Sequence, residues 1–148
     1  VDLMMGSHHK GALLVMTDRA TLHTRLRKLK SKESSGVSKG IIKSLSKSNF
    51  TIHTLTFDND KAFSQHEQTG NQLQSNTYFT RPYCSQDKGT VENRIGVLRR
   101  FFPKKTDLRF VSATEIKQVE QKLNNRPIRK FNYLTPNQVL RKKIALIT

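Results

Sequence analysis

Five consecutive apolar residues, Ala12-Leu13-Leu14-Val15-Met16, stand between two turn-forming stretches, Gly6-Ser7-His8-His9-Lys10-Gly11 and Asp18-Arg19. A strand with one wet face alternates apolar and polar residues, so an unbroken run this short asks for cover on both faces. The flanking segments supply neighbours. Val1 to Met5 reads as one strand, and from Leu22 the pattern alternates, with Leu22, Thr24 and Leu26 on one side and His23, Arg25 and Arg27 on the other. That alternation predicts a half-buried strand with a basic outer face, and three strands in hairpin succession.

Helical periodicity takes over next. Lys28 to Gly36 reads as a loop, and Val37, Ile41, Ile42 and Leu45 then recur on one helical stripe, with Lys39, Lys43 and Lys47 elsewhere. Thr51 to Phe57 is rich in Thr, Ile and Phe and ends at Asp58-Asn59-Asp60, a strand running into a turn. A weakly helical segment to Leu73 leads to a brief strand around Thr77-Tyr78-Phe79, which Arg81-Pro82 breaks. Val91, Ile95, Leu98 and Phe102 mark an amphipathic helix ended by Pro103. Ser112 with Glu115, and Thr135 with Gln138, have capping-box spacing, each inside a hydrophobic staple: Val111 with Ile116 and Leu134 with Val139. Pro136 occupies the favoured first helical position. The order predicts an α/β fold: a mixed five-stranded sheet, three antiparallel strands then two parallel, flanked by helices.

The length of 148 residues suits one core. Lys and Arg number 27 against 11 Asp and Glu, a formal charge of +16 that favours a polyanionic partner, nucleic acid before an anionic membrane surface. Cys84 is the only cysteine, which excludes an intrachain disulfide or a Cys-rich zinc site and suits a reducing, cytoplasmic setting. No apolar run approaches the roughly 20 residues that span a bilayer, and no signal-peptide pattern opens the chain.

With only eleven acids, their placement is informative. Asp2 falls within the first strand, Asp58 at the end of the fourth and Glu92 in the first turn of the helix after the fifth. If the first and fourth strands are neighbours, the aspartates lie side by side, and the short connection from Phe79 keeps the Glu92 helix near. Converging carboxylates repel unless a cation neutralises them, and hard oxygen ligands on rigid elements suit Mg²⁺ or Mn²⁺. Two such ions about 4 Å apart are a standard device for in-line displacement at phosphorus. Singly, each acid has a plainer reading: a polar residue near a strand end, an Asx-turn residue, a charge favourable at a helix N-terminus.

The segment Thr56-Phe57-Asp58-Asn59-Asp60-Lys61-Ala62-Phe63 resembles the D-N-G-x-E-F strand-end motif of integrase-type transposases. Pro82 to Asn93, followed by Leu98-Arg99-Arg100-Phe101-Phe102-Pro103-Lys104, is similar to the block carrying the final glutamate in transposases of the insertion-sequence-thirty type, and the 33 residues 59–91 between Asp58 and Glu92 match that family's spacing. Leu123-Asn124-Asn125-Arg126-Pro127 with Leu134-Thr135-Pro136 resembles its C-terminal signature. Val1-Asp2-Leu3, Gly6, His9-Lys10-Gly11-Ala12 and Asp18-Arg19 resemble its first block.

This resemblance, to the insertion-sequence-thirty family within the retroviral-integrase superfamily, implies a ribonuclease-H-like catalytic core over residues 1–148, the helix-turn-helix region that usually precedes such cores lying outside it. It implies Asp2, Asp58 and Glu92 as catalytic and metal-binding residues, two Mg²⁺ or Mn²⁺ ions, cleavage at transposon ends and strand transfer into target DNA. It also implies DNA and a dimer or higher homo-oligomer as partners, no membrane, and a cytoplasmic, nucleoid-associated setting. Lys88, Arg94, Arg99, Arg100, Lys104 and Lys105 are candidate phosphate contacts, read as lying off the Val91-Ile95-Leu98 stripe or flanking it, where Gly96 would let DNA approach closely. Two departures stand out. Asp60 replaces the usual Gly, which predicts strain in the turn or a competing charge, and Ala62 replaces the usual Glu. They motivate the alternative of a catalytically impaired DNA-binding remnant of the same fold.

Overall fold

The computed structural model describes residues 1–81 and 89–147. Strands β1 (Asp2–Met5), β2 (Ala12–Thr17) and β3 (Thr24–Leu29) form an antiparallel sheet in that order. After helix α1 (Ser34–Leu45), β4 (Thr54–Phe57) pairs in parallel with β5 (Asn76–Phe79), with α2 (His66–Leu73) between them. Helices α3 (Gly89–Leu98), α4 (Ala113–Asn124) and α5 (Pro136–Ile147) follow. All five strands stand in the predicted order and sense, as ladders of three and two. The Val1 amino group donates to the Thr56 carbonyl at 2.7 Å and places the start of β1 beside β4. No helix among the described residues is long and apolar enough to cross a membrane.

The apolar run of β2 is covered on both faces, as its sequence demands. Ala12, Leu14 and Met16 pack with Val37, Ile41 and Leu45 of α1 and with Leu55, Phe57 and Phe63. Leu13 and Val15 pack on the other side with Met4, Leu98, Phe102, Ile116, Val119 and Leu123. Full burial of each such large side chain stabilises by about 1.5–3 kcal/mol, so β2 anchors both layers.

The basic outer face predicted for β3 is a correction. The Arg25 and Arg27 side lies against α1: the Arg25 guanidinium donates to the Ser44 carbonyl and sits 5.6 Å from the Phe50 ring, while Leu29 joins the α1 cluster. Gly40 makes this close approach feasible, since a Cβ there would stand 3.0 Å from Leu29 Cδ2 and 3.4 Å from Arg27 Cδ. Long cationic side chains cover apolar surface with their stems, which an alternation pattern cannot distinguish from a solvated face. The strand also begins later than predicted. Leu22 adopts φ 58° in the preceding turn, which Asp18 holds by accepting from the Ala20 and Thr21 amides and the Thr21 hydroxyl.

Helix α4 closes the outer edge of β3 with side chains in place of a strand. Asn124, 4% exposed, accepts from the Thr24 amide at 2.8 Å and donates to the Thr24 carbonyl at 2.7 Å. One turn earlier Glu120 accepts from the Leu26 amide at 2.7 Å. An open sheet edge is a template for unwanted pairing, and these groups occupy it. Both capping boxes form, Ser112 with Glu115 and Thr135 with Gln138, each exchanging two hydrogen bonds.

Candidate active site

Asp2 and Asp58 line one cavity of about 430 Å³, together with Thr54, Thr56, Thr80 and the α3 residues Thr90 and Val91. The fold brings them there because β1 starts beside β4: Val1 bonds Thr56, and Asp58 is the second residue beyond. Both carboxylates are half-buried, and each accepts from the amide of the next residue at 2.7 Å, Asp2 from Leu3 and Asp58 from Asn59. The Asn59 side chain donates to the Thr80 carbonyl at 2.8 Å, tying the turn after β4 to the end of β5. Asn59 thus fixes the backbone from which Asp58 projects.

The departure at Asp60 carries no backbone strain, because its φ is −113° and glycine's freedom is not needed. Its carboxylate accepts from the Ala62 amide at 2.9 Å, capping a short 3-10 turn, and pairs with Lys32 at 3.4 Å. The Ala62 amide, against a smaller opposing effect of burial and with help from Lys32, holds the carboxyl below its ordinary value. The predicted strain is therefore corrected, and the predicted competing charge is directed toward Ala62 and Lys32. Ala62 is buried in the α1 cluster.

Glu92 lies in the first turn of α3 and is exposed, although its neighbours Thr90 and Val91 line the cavity. Among the described residues, no three His, Cys, Asp or Glu side chains gather closely enough to hold a metal ion. The structure thus brings together two of the three acids. As to fit, two half-buried carboxylates lining one cavity are suitable hard donors for a divalent cation, and completing the set requires the exposed Glu92 to turn toward them.

The proposed phosphate contacts divide. Lys88 lies outside the described residues. Arg94 and Arg99 are corrections to a surface placement. Arg94 is only 8% exposed and donates to the Leu22 carbonyl at 2.9 Å; burial first, then the neighbouring Arg126, lower its pKa, though it stays charged. Arg99 is half-buried and donates to the Met5 carbonyl at 3.0 Å, with burial lowering its pKa. Both act as ties from the α3 region to the sheet. Arg100, Lys104 and Lys105 are exposed, and a Cβ at Gly96 would meet open space.

The cavity wall also carries groups that sequence reasoning missed as site residues: Arg19, His23, Arg25, His53 and Lys143. Burial, then the Arg25 charge, pushes the His23 pKa down, so its imidazole is neutral at pH 7. Lys143 reaches the cavity from α5, about 85 positions beyond Asp58 in sequence, and only the tertiary path of that helix reveals it. Arg19 had a local signal, its place beside Asp18 in the first motif block.

No family model matches the chain. The transposase for insertion sequence element IS4351 of Bacteroides fragilis is 43% identical over 138 residues, 93% of this chain and 42% of its own length. The transposase InsI for insertion sequence element IS30C of Escherichia coli (strain K12) is 30% identical over 146 residues, 98% of this chain and 38% of its own length. The chain therefore spans about two-fifths of these relatives. The catalytic core domain of BIV integrase matches with a TM-score of 0.67 at 16% identity, over 99% of this chain and 97% of that one, so the sheet and helices form the expected ribonuclease-H-like fold. Sequence blocks, fold and relatives agree: over nearly its whole length the chain is similar to transposases of the insertion-sequence-thirty type, and it has the fold of an integrase catalytic core.

Proposed function

We propose that this chain is the catalytic core of a transposase, cutting DNA at transposon ends and joining the freed 3′ end to target DNA. The observation that carries the reading is that Asp2 and Asp58, 56 positions apart in sequence, line one cavity together with Thr90 and Val91 at the start of α3. Asp2, Asp58 and, after an inward turn, Glu92 would hold Mg²⁺ or Mn²⁺, two ions in the family's manner. Such ions neutralise charge on the reacting phosphate and support the attacking and leaving oxygens.

The protein's own share is positioning. Asp2 is fixed by its place in β1, Asp58 by the Asn59–Thr80 tie, and both by the two-sided packing of β2. The exposed cations Arg100, Lys104 and Lys105 supply phosphate contacts, and Lys143 places positive charge at the cavity itself. DNA partnership, a dimer or larger assembly that pairs two ends, and a cytoplasmic, nucleoid-associated setting belong to the same reading.

Incubation with Mn²⁺ and a duplex ending in the element's terminal sequence should yield a nicked strand. Asp58→Asn and Glu92→Gln should each lower nicking by more than ~100-fold, because even outer-shell partners of metal ligands contribute ~10–100-fold. Nicking that survives Glu92→Gln would remove that residue from the site. DNA binding without nicking, in this chain and in one extended to the relatives' length, would instead identify a binding remnant.

A further inference from the structure

Tyr78 stands on the edge strand beside the candidate acids, and neither the core nor the proposed chemistry uses it. It is 53% exposed. In the parallel ladder it pairs with Thr56, two residues before Asp58. Alternation sends Leu55 and Phe57 into the α1 cluster, and Phe79 follows them, its ring 6.1 Å from that of Phe57. Tyr78 therefore projects from the opposite face, that of Thr54 and Thr56. Its register partner Thr56 and the next residue on its own side, Thr80, both line the cavity that holds Asp2 and Asp58. With strands about 4.8 Å apart and a rise of about 3.3 Å per residue, the Tyr78 and Asp58 backbones are about 8 Å apart. That is one to two nucleotide steps of a strand, which rises ~3.4 Å per nucleotide when stacked as in a duplex and extends further when opened.

We propose that Tyr78 is a stacking platform for a base of single-stranded DNA lying one or two nucleotides from the phosphate at Asp2 and Asp58. This inference rests on the reading of those residues as nuclease acids, and it names the form of DNA the site takes: a strand end opened from its duplex. The surroundings favour a nucleotide over a protein partner. On its own face the exposed register neighbours are Thr54 and Asn76, both polar, and the partly exposed Phe79 ring lies on the opposite face against Phe57, so no apolar patch of docking size surrounds Tyr78. The chain carries +16, which favours a polyanionic partner over a neutral or acidic protein surface. A phenol ring offers a π-face to any base, so stacking here is tolerant of sequence.

The test is binding without divalent metal, which separates it from the nuclease reading. The 148-residue chain is titrated with a single-stranded oligonucleotide containing 2-aminopurine and with a duplex, at several salt concentrations. Stacking quenches the probe. Tyr78→Ala should abolish the quench and weaken single-strand binding by about 10-fold, by the same factor at every salt concentration, because no phosphate contact is lost. Tyr78→Phe should retain both quench and affinity, and duplex binding should be unchanged. A Tyr78→Ala protein that quenches and binds as the parent does overturns the proposal, as does an affinity loss equal for duplex and single strand. Unchanged urea midpoints in both variants exclude unfolding as the cause. Quenching that persists when neither this chain nor one extended to the relatives' length nicks with Mn²⁺ leaves the platform standing and removes the nuclease acids; nicking without quench does the reverse.

Discussion

The two edges of the strand system are treated in opposite ways. At β3 the edge is sealed, with Asn124 taking both polar groups of Thr24, Glu120 the Leu26 amide, and the Lys28 ammonium bonding the Arg109 and Val111 carbonyls at 2.7 Å each. At β5, Asn76, Tyr78 and Phe79 are all exposed, and the acids lie at the adjoining strand end. Polar groups are satisfied inside at the sealed edge, while the open edge leaves side chains facing out, where the proposed DNA contacts would lie. Asn124→Ala should break the contrast most severely. It strands a buried donor and a buried acceptor, at a cost of about 2–5 kcal/mol. Thermal unfolding should fall by roughly 5–15 °C. Asn76→Ala, on the exposed strand, should stay within about 0.5 kcal/mol. Equal losses from the two substitutions would abolish the distinction between the edges.

Asn59 sharpens the comparison, because it ties the end of the open edge to the turn that carries Asp58. Asn59→Ala removes the bond to the Thr80 carbonyl and should cost only about 0.5–1.5 kcal/mol in urea unfolding. Under the proposed function its effect on nicking should be larger, about 10–100-fold, since it orients the backbone that carries Asp58. A loss of activity no greater than the loss of stability would make Asn59 a structural turn residue alone.

Elements resting on local chemistry were legible in the sequence. The apolar β2 run, the Ser112 and Thr135 boxes and the α1 stripe are set by neighbours within a few residues. Asp2 and Asp58 were legible as a pair because strand order follows from few topological choices. What failed was the direction of long side chains. Arg94 and Arg99 lie off the narrow Val91-Ile95-Leu98 stripe, yet the buried arc of α3 reaches Arg94, Arg99 just beyond the helix is half-buried, and each finds a carbonyl to satisfy it. Glu92 was placed in the right helical turn, but whether its carboxyl faces the cavity depends on helix rotation, which periodicity does not resolve. Asn124 was visible only as part of a motif; its pairing with Thr24, 100 residues away, is a tertiary fact.

The smallest expected effect concerns Asp60, where the turn beside the acids is structural on one side and, under the proposed function, catalytic on the other. Its folded-state pKa lies below the ordinary 3.8, so its contribution to stability is fully present above that value and is lost as pH falls through the folded value. The carboxylate is 39% exposed and its Lys32 partner 53%, so solvent screens the pair and the charge contributes well under ~1 kcal/mol. Asn keeps an oxygen that can cap Ala62, so Asp60→Asn isolates the charge, whereas Asp60→Ala also loses the cap, at a cost of about 1 kcal/mol. The stability difference between parent and Asp60→Asn should be constant from pH 5 to 8 and shrink toward zero below about pH 4, as read from urea midpoints. Nicking with Mn²⁺ should be unchanged, because the Asp60 carboxylate is directed at Ala62 and Lys32. A tenfold change would place that carboxylate among the acids of the site, and the division of the turn into a structural and a functional half would fall.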